Sequence, residues 1–391
     1  MKALFFRVMI LIFLICFCGS TRCYPSKETI FNYNEEGIKN LGNGDYAAAI
    51  DSFKKAYYYD PYNKSIKSNL ATAYNNYGFY LMNRGELTEA ADEFEKAVYY
   101  DTSNAYMFYN LGQVYYKLQE LEKAKEYLDK GYLIDRNIKG LTALRAKISK
   151  EIGVEADYSV SETLHFIISF PTGIDPAKIM YIRGYLEEAY GKIGKFIGFY
   201  PSEKIAVIIY TEEDFMKTSD NSPYWAVAFY DGKIRLPMDK SRYTRDDIVK
   251  IIYHEYAHVI IRYLTGNKCP VWFSEGFAAK SEDLGGFTHN SDVLDYIKNF
   301  GIVSINEFPD SFSTIKDKNK AVHFYAQAYM FMDYFVNTCG TEGLLRVLKF
   351  LSQNIPITDA LSDVLGIKSS QLEENFGKYL KDRYNIIINE K

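Results

Sequence analysis

The chain has 391 residues, of which 48% are hydrophobic and 25% are charged. This composition excludes a disordered chain and is sufficient for two or three domains with cores of their own. The formal net charge of −4 provides no basic surface for nucleic acid or anionic lipid, so we expect no nucleic-acid partner.

The N-terminus has the pattern of an export signal. Lys2 and Arg7 precede an apolar run at residues 8–18, and small residues follow it. The run is about 11 residues long, shorter than the roughly 18 to 20 that a membrane span needs, so residues 1–23 are predicted to be a cleaved signal peptide. We therefore expect an exported protein, periplasmic, extracellular or envelope-associated, with membrane contact only if this segment is retained or lipidated.

Lipid attachment to a cysteine near the cleavage point is the alternative to simple cleavage. The residues in front of Cys18 and Cys23 are not the small ones that such processing prefers. Further along the chain, Cys269 and Cys339 form either a disulfide or two separate thiols, and the sequence leaves both possibilities open.

Residues 30–137 contain an internal repeat that aligns on glycine. Each of Gly37, Gly78 and Gly112 is followed by a small residue 12 positions later, a large apolar residue 16 positions later and a small residue 19 positions later. In order, these residues are Ala49, Phe53 and Ala56, then Ala90, Phe94 and Ala97, then Ala124, Leu128 and Gly131. The pattern resembles the tetratricopeptide repeat, in which small residues let paired helices touch and large residues fill the groove between units.

The repeat spacing is uneven: 41 residues separate the first two glycines and 34 the next two. The difference corresponds to about two helical turns, so we expect a longer helix around residues 63–69 within a continuous array. A helix at 141–152 should cap the array, which gives a tetratricopeptide domain at 30–152. Such arrays bind protein partners, and the many tyrosines of the repeats either line a binding face or pack between repeats.

A second domain is predicted at 160–391, after a polar linker at 153–160. Two apolar runs, 164–170 and 204–210, indicate strands, and the segment 176–196 between them has helical spacing. Two further strands with a turn at Asp231-Gly232 form a predicted hairpin at 226–230 and 233–236. The expected result is a small mixed sheet with helices packed on it.

His254, Glu255 and His258 form the pattern His-Glu-x-x-His. On a helix, residues four apart share a face, so both imidazoles can bind one metal ion while Glu255 lies beside it as a general base. A helix is predicted here, because Thr244 and Asp247 form a capping box in front of apolar residues at helical spacing. The alternative is a pair of histidines that bind no metal.

Glu275 follows within the segment Trp-Phe-Ser-Glu-Gly-Phe-Ala at 272–278. A catalytic zinc needs three protein ligands and an open position for water, and a carboxylate from a following helix is a common third ligand. The alternative is an ordinary glutamate near a helix start. The pattern predicts one Zn²⁺ per chain, bound by His254, His258 and Glu275.

The metal motif, the Glu275 segment, the upstream run at 231–237 and the preceding repeats together resemble the peptidase-MA-like family of gluzincins. The resemblance implies an α+β chain: an N-terminal all-α tetratricopeptide-repeat solenoid, then a thermolysin-like gluzincin domain with a small mixed sheet and a helical C-terminal lobe. It implies zinc on His254, His258 and Glu275, with catalysis by Glu255. Some gluzincins have an acidic residue four positions after the third ligand, where this chain has Ala279, so the group that orients His254 is open.

The C-terminal lobe contributes candidates for stabilising an oxyanion. His323, Tyr325 and Tyr329 lie in one predicted helix, and spacing alone does not choose between them. The family resemblance favours Tyr325. For each of the three, a packing or surface role is the alternative.

The substrate of a gluzincin adds as a strand to an exposed sheet edge. Ile234, Arg235 and Leu236 are the candidate edge, since they follow the hairpin turn and precede the metal-binding helix. The alternative is a strand that is paired on both sides.

The function expected from these features is zinc-dependent hydrolysis of peptide bonds, by default endoproteolytic, in envelope or extracellular proteins that the array recruits. Two alternatives stay open. One is a repeat-based assembly adaptor whose second domain is inactive or holds zinc for structure, and the other is a zinc hydrolase of small molecules.

Overall fold

The computed structural model describes residues 26–218, 229–230, 232–237, 243–287, 290–309, 312, 315 and 317–386. The predicted signal peptide lies outside these residues. The array comprises the helices α1 (Lys27–Gly42), α2 (Tyr46–Tyr59), α3 (Lys64–Arg84), α4 (Leu87–Tyr100), α5 (Ala105–Lys117), α6 (Leu121–Ile134) and α7 (Leu141–Glu155).

The repeat glycines lie where paired helices touch. A Cβ atom added at Gly37 would come within 2.6 Å of the Phe53 ring, and Gly78 and Gly112 have the same close contact with the residue sixteen positions further on. The helices can approach this closely only because the first of each pair has no side chain there. The extra residues of the second repeat lengthen α3 to 21 residues, against 13 for α5, as the spacing predicts.

The predicted linker is wrong, because the array joins the second domain directly. Helix α7 caps the array as expected but continues to Glu155, and strand β1 (Tyr158–Glu162) follows after two residues. Strand β1 pairs antiparallel with β2 (Phe166–Pro171), which satisfies backbone groups that a free linker would expose to water. The polar side chains of this segment belong to an edge strand, where one face is solvated.

The sheet has five strands in the order β1-β2-β3-β5-β4. Strand β2 runs parallel to β3 (Ile205–Tyr210), and helix α8 (Pro176–Ile197) makes the crossover between them. Helix α9 (Glu212–Thr218) follows β3, which runs parallel to β5 (Ile234–Pro237), and β4 (Phe229–Tyr230) pairs antiparallel with β5. Part of the predicted hairpin, including its turn residue Asp231, lies outside the described residues.

The prediction that Ile234, Arg235 and Leu236 form an exposed edge is wrong. Strand β5 lies between β3 and β4, and all three side chains are buried. The pairing to β3 depends on residues that are distant in sequence, so the hairpin pattern alone could not place β5 inside the sheet. The strand therefore offers no free edge for a substrate along its paired residues.

Arg235 belongs to a buried ionic network that joins the array to the sheet. Its guanidinium donates to Glu151 Oε1 at 2.7 Å and to the hydroxyl of Tyr116 at 2.8 Å, and Lys233 donates to the other oxygen of Glu151 at 3.1 Å. Tyr210 of β3 accepts from the same guanidinium. The side chains of Glu151, Lys233 and Arg235 are at most 1% exposed.

The network keeps Glu151 charged. Burial alone would raise the pKa of this carboxyl, but Lys233 and Arg235 hold the pKa below its ordinary value. Glu151 lies on the capping helix α7, Tyr116 lies on the last repeat, Arg235 lies on β5 and Lys233 directly precedes that strand. The last repeat, the cap and the sheet therefore share one buried electrostatic centre.

Replacing Glu151→Ala should lower the free energy of unfolding by roughly 3 to 5 kcal/mol, because two buried cations lose their carboxylate. Urea denaturation measures the change. Asp363→Ala, which removes the partner of Arg346 in a pair more than half exposed on both sides, is the control and should change little. An equal, small effect of both substitutions would contradict this role of the network.

A second contact joins the two domains through a helix end. Glu203, just before β3, accepts a hydrogen bond of 3.1 Å from the backbone N–H of Thr88 in the first turn of α4. The other oxygen of Glu203 is buried without a hydrogen-bond partner. Burial raises the pKa of Glu203 from its ordinary value of 4.5 to about 7. The N-terminus of α4 is thus capped by a carboxyl group whose ionised form is disfavoured by burial.

Since the folded pKa of Glu203 exceeds the unfolded one, its contribution to stability is complete below pH 4.5 and is lost as the pH rises through about 7. Glu203→Gln keeps the acceptor and removes the charge. The melting temperature of this variant relative to wild type should therefore rise between pH 4.5 and 8. Glu213→Gln, at an exposed carboxylate paired with Lys217, is the control and should show a pH-independent offset. A pH-independent offset for Glu203→Gln as well would contradict the prediction.

The rest of the second domain is helical. Its helices are α10 (Arg245–Thr265), α11 (Val271–Glu282), α12 (Asn290–Phe300), α13 (Lys318–Ser352), α14 (Ile357–Leu365) and α15 (Leu372–Tyr384). Helix α13 bends at Gly340, where φ is +66°. Within the described ranges, no helix combines the length and apolar character that crossing a membrane requires. Cys269 and Cys339 are both free thiols.

Candidate metal centre

Helix α10 carries the His-Glu-x-x-His pattern at its middle. It begins with the predicted capping box, in which Thr244 and Asp247 bond to each other's backbone, and it ends at Gly266 with a left-handed φ of +60°. One side of the helix packs into the core of the domain. His254 and His258 lie one turn apart on another side, with ring centroids 4.9 Å from each other.

The next helix, α11, brings Glu275 to the two histidines. Its carboxylate lies 3.2 Å from His254 Nε2 and 3.6 Å from His258 Nε2. One ligand atom from each of these three residues lies within 4.8 Å of the other two. The fold therefore brings together three side chains, and one possible metal-ligand atom of each lies near a common point.

Gly276 explains why a glycine follows Glu275 in the chain. A Cβ atom there would lie 2.5 Å from the backbone oxygen of Ala328 in α13. Because Gly276 lacks this atom, α11 and α13 approach closely enough for α13 to form the opposite wall of the site.

Both histidines have a contact at Nδ1, the ring nitrogen that does not face Glu275. His254 Nδ1 lies 2.7 Å from Glu282 Oε1, and His258 Nδ1 lies 2.8 Å from Ser274 Oγ. Lys250 in turn contacts the second oxygen of Glu282 at 3.3 Å. An imidazole bonded through Nδ1 directs Nε2 at the metal, so these partners orient both ligands towards Glu275.

Glu282 is a functional residue that the sequence pattern did not indicate. In some gluzincins the acidic residue lies four positions after the third ligand, where this chain has Ala279, whereas here the partner of His254 lies seven positions after Glu275. Seven residues are about two helical turns, so Glu282 shares a face of α11 with Glu275. This spacing is the signal that could have identified it.

The electrostatics of the two histidines differ. Burial disfavours a charge on His254, but hydrogen bonds to Glu275 and Glu282 outweigh burial and raise its pKa well above the ordinary value. Burial lowers the pKa of His258 to about 4. In Glu275, attraction by the histidines exceeds the effect of burial and lowers the pKa. A metal ion would therefore replace a proton held at His254.

Glu255 lies beside the metal centre and is 4% exposed. Its Oε2 atom is buried without a hydrogen-bond partner. Burial raises the pKa of Glu255 to about 7, and the nearby His254 offsets this only in part. A carboxylate without a partner and with a pKa near neutrality is suited to exchange a proton with a bound molecule.

The three candidates on α13 differ in what they contact. His323 Nε2 lies 2.8 Å from the backbone oxygen of Gly301, and the Tyr329 hydroxyl donates to Asp283. Tyr325 is the one whose pKa, raised mainly by burial, is raised further by the negative charges of Glu275 and Glu255. Tyr325 is therefore close to the metal centre, whereas His323 contacts the backbone of Gly301 and Tyr329 contacts Asp283.

The chain matches known families in both domains. The profile of the Peptidase MA superfamily matches residues 186–382, which is half of the chain. The chain belongs to the Peptidase MA superfamily. Profiles of the tetratricopeptide repeat match residues 40–63, 80–119 and 105–138. No curated protein matches the chain.

The array is similar to solved tetratricopeptide domains. The first such domain of Spaghetti (RPAP3), bound to the HSP90 peptide SRMEEVD, is 27% identical over 34% of this chain and 98% of that one, with a TM-score of 0.26. The first domain of human RPAP3 is 26% identical over 33% and 95%, with a TM-score of 0.25. The Sgt2 domain from Aspergillus fumigatus is 20% identical over 41% and 99%, also with a TM-score of 0.25.

The residues of this peptidase domain fit a zinc ion, the usual metal of the superfamily. Two imidazole nitrogens and one carboxylate are the donor set that zinc prefers in catalytic sites. Both imidazoles have Nδ1 occupied and Nε2 directed at the common point, which is the arrangement of a ligand prepared for a metal.

Glu282→Ala should weaken zinc affinity by about 10- to 100-fold, because His254 loses the group that orients it. Competition with a chromophoric chelator measures the affinity. Glu187→Ala is the matched control, since it removes a similar 2.6 Å carboxylate contact from His165, which is not one of the three metal donors. Equal zinc affinities of the two variants would show that Glu282 does not position the ligand.

Proposed function

We propose that the protein is a zinc-dependent metallopeptidase of the gluzincin type, with one Zn²⁺ bound by His254, His258 and Glu275. The observation that carries the proposal is the convergence of these three donors beside Glu255, whose buried Oε2 has no partner. A purely structural zinc site is usually closed by four protein ligands. Three donors with an adjacent free carboxylate favour catalysis.

When bound at such a site, zinc acidifies water and polarises a carbonyl group. Glu255 acts as the general base: its Oε2 takes the proton of the attacking water. The same oxygen then returns that proton to the nitrogen of the departing amine. Because Oε2 is buried and has no hydrogen-bond partner, it is available for both transfers.

Tyr325 is proposed to stabilise the oxyanion that forms at the attacked carbonyl. Its hydroxyl is a hydrogen-bond donor on the α13 wall, and the charges of Glu275 and Glu255 act on it. Those charges and burial keep the phenol protonated, so it remains a donor throughout the reaction.

The substrate is proposed to be an envelope or extracellular protein, cleaved internally. The N-terminal export pattern supports the location, and the repeats support a protein partner, since arrays of this kind bind proteins. N-terminal sequencing of the protein from its native host tests the location. A mature protein that still begins at Met1 would contradict a cleaved signal at 1–23.

The proposal predicts distinct losses in three variants. Wild type should hold one zinc by plasma mass spectrometry and cleave casein. His258→Ala should lose both properties, whereas Glu255→Gln should keep zinc and lose cleavage, because only the proton acceptor has gone. Tyr325→Phe should keep zinc and lower kcat by about 10²- to 10³-fold.

His323→Phe is the control for Tyr325→Phe, since it changes a nearby side chain of the same helix that bonds to backbone. It should retain most of the kcat. Zinc without cleavage of casein or of other unfolded proteins would instead favour the adaptor, and a wild-type protein without zinc would contradict the metal site.

A further inference from the structure

The segment between α12 and α13 carries two aromatic side chains that pack close to the metal centre. Phe308 and Phe312 contact each other, with ring centroids 6.1 Å apart. The centroid of the Phe308 ring also lies 5.2 Å from that of Trp272 in the first turn of α11. Trp272 precedes Glu275 by three residues, which is about one helical turn. One end of this aromatic group therefore rests on the helix that carries the third metal donor.

The other end of the aromatic group is Tyr325 on α13. The centroids of the Phe312 and Tyr325 rings are 4.7 Å apart, and the planes of the two rings meet at 85°. Aromatic rings prefer this edge-to-face arrangement to a parallel sandwich. Phe312 is 2% exposed, so the surrounding side chains enclose its ring and hold it in place. A fixed ring thus lies directly against the side chain that is proposed to stabilise the oxyanion.

Tyr325 lies on the side of α13 that meets α11. Ala328, whose backbone oxygen makes the close approach to Gly276, is three residues further along α13. Residues three apart share a helix face, so Tyr325 is about one turn away from that contact. Glu275 directly precedes Gly276 in the chain. The packing of the two helices therefore brings Tyr325 towards the metal donor, and the effect of the Glu275 and Glu255 charges on the pKa of Tyr325 indicates the same place.

Packing alone fixes the direction of the Tyr325 side chain. Within the described ranges of the chain its hydroxyl makes no hydrogen bond, whereas the hydroxyl of Tyr329 on the same helix donates to Asp283. A donor stabilises an oxyanion only when it lies about 2.7 to 3.1 Å from the position of that oxygen. The ring of Tyr325 must therefore be held by its neighbours, and Phe312 is the aromatic neighbour in direct contact with it.

We propose that Phe312 is a positioning residue for Tyr325: its ring holds the phenol in the direction from which the hydroxyl reaches the oxyanion. The inference rests on the proposed peptidase function and extends the site to the segment between α12 and α13. The side chain of Phe312 has no group that can exchange a proton or bind a metal, so its contribution to the reaction passes through Tyr325.

The first test is Phe312→Leu in the full-length protein, which removes the ring and keeps an apolar side chain. We expect one zinc per chain and the wild-type KM for casein, with kcat lowered by about tenfold, because a misdirected donor weakens only the stabilisation of the transition state. The loss should be smaller than in Tyr325→Phe, where the donor is absent altogether. Steady-state hydrolysis and plasma mass spectrometry measure these quantities.

A double-mutant cycle separates positioning from a general loss of packing. Adding Phe312→Leu to Tyr325→Phe should change kcat by less than about twofold, because no hydroxyl remains to be directed. Phe376→Leu is the matched control, since Phe376 is 1% exposed and its ring contacts are with Phe331 and Tyr334. This variant loses a ring of equal burial and should retain the wild-type kcat.

Crystal structures of the wild-type and Phe312→Leu proteins test the contact without any activity. We expect one rotamer of Tyr325 in wild type, and a different rotamer or several rotamers in the variant. If circular dichroism shows Phe312→Leu to be unfolded, Phe312→Met, whose flexible side chain fills space without a ring, takes its place with the same expected results. An unchanged Tyr325 rotamer, an unchanged kcat, or full additivity of the two substitutions would each overturn the inference.

The inference and the proposed function fail in different ways. Zinc binding and casein hydrolysis, with an unchanged Tyr325 rotamer in Phe312→Leu, would leave the peptidase proposal intact and remove only this inference. A displaced Tyr325 in a protein that neither binds zinc nor cleaves casein would do the reverse: Phe312 would direct the phenol as inferred, and the peptidase proposal would be wrong.

Discussion

The buried carboxylate of Glu151 is the constraint on which the arrangement of the two domains depends. A charge in a dry interior is tolerated only where opposite charges and hydrogen bonds surround it, and Lys233 and Arg235 meet this need together with Tyr116. Glu151 lies on the capping helix, whereas its partners come from the last repeat and from the sheet strand β5 with the residue directly before it. Any rotation of the array against the sheet would leave at least one buried charge unpaired.

The fixed array has consequences for the metal centre. Strand β5 carries Arg235, directly follows Lys233 and pairs with β3, and helix α10 packs on the same core as these strands. The end of α3 contacts α10 through Gly85 and Tyr263. The helix that carries His254 and His258 is therefore held by the sheet and by the array, and the helix that carries Glu275 is held by its close packing on α13 at Gly276. A rigid support of this kind keeps ligand atoms in place for a metal.

The sequence predicts well those features whose residue pattern lies within a single helix or within one pair of neighbouring helices. The repeat glycines and their partners lie within single helix pairs, the capping box at Thr244 lies within one turn, and the two histidines share one helix face. Glu275 follows in the next helix. Each of these depends on local geometry, which spacing along the chain describes directly.

The features that the sequence could not predict depend on contacts between distant segments. From the sequence alone, Arg235 is predicted to lie in an exposed edge strand, but its burial depends on Glu151, which is far away in the chain. Strand β1 resembles a polar linker until its pairing with β2 is known. Glu282 is intermediate: its spacing from Glu275 is a local signal, but its contact with His254 requires that α10 and α11 pack as they do.

The central claim is that His254, His258 and Glu275 bind one zinc ion. Diffraction data from crystals of the purified wild-type protein, collected just above and just below the zinc absorption edge, test it most directly. We expect one anomalous peak per chain, surrounded by His254 Nε2, His258 Nε2 and the carboxylate of Glu275, which vanishes below the edge. A peak at another place, or no peak in protein supplied with zinc, would contradict the account.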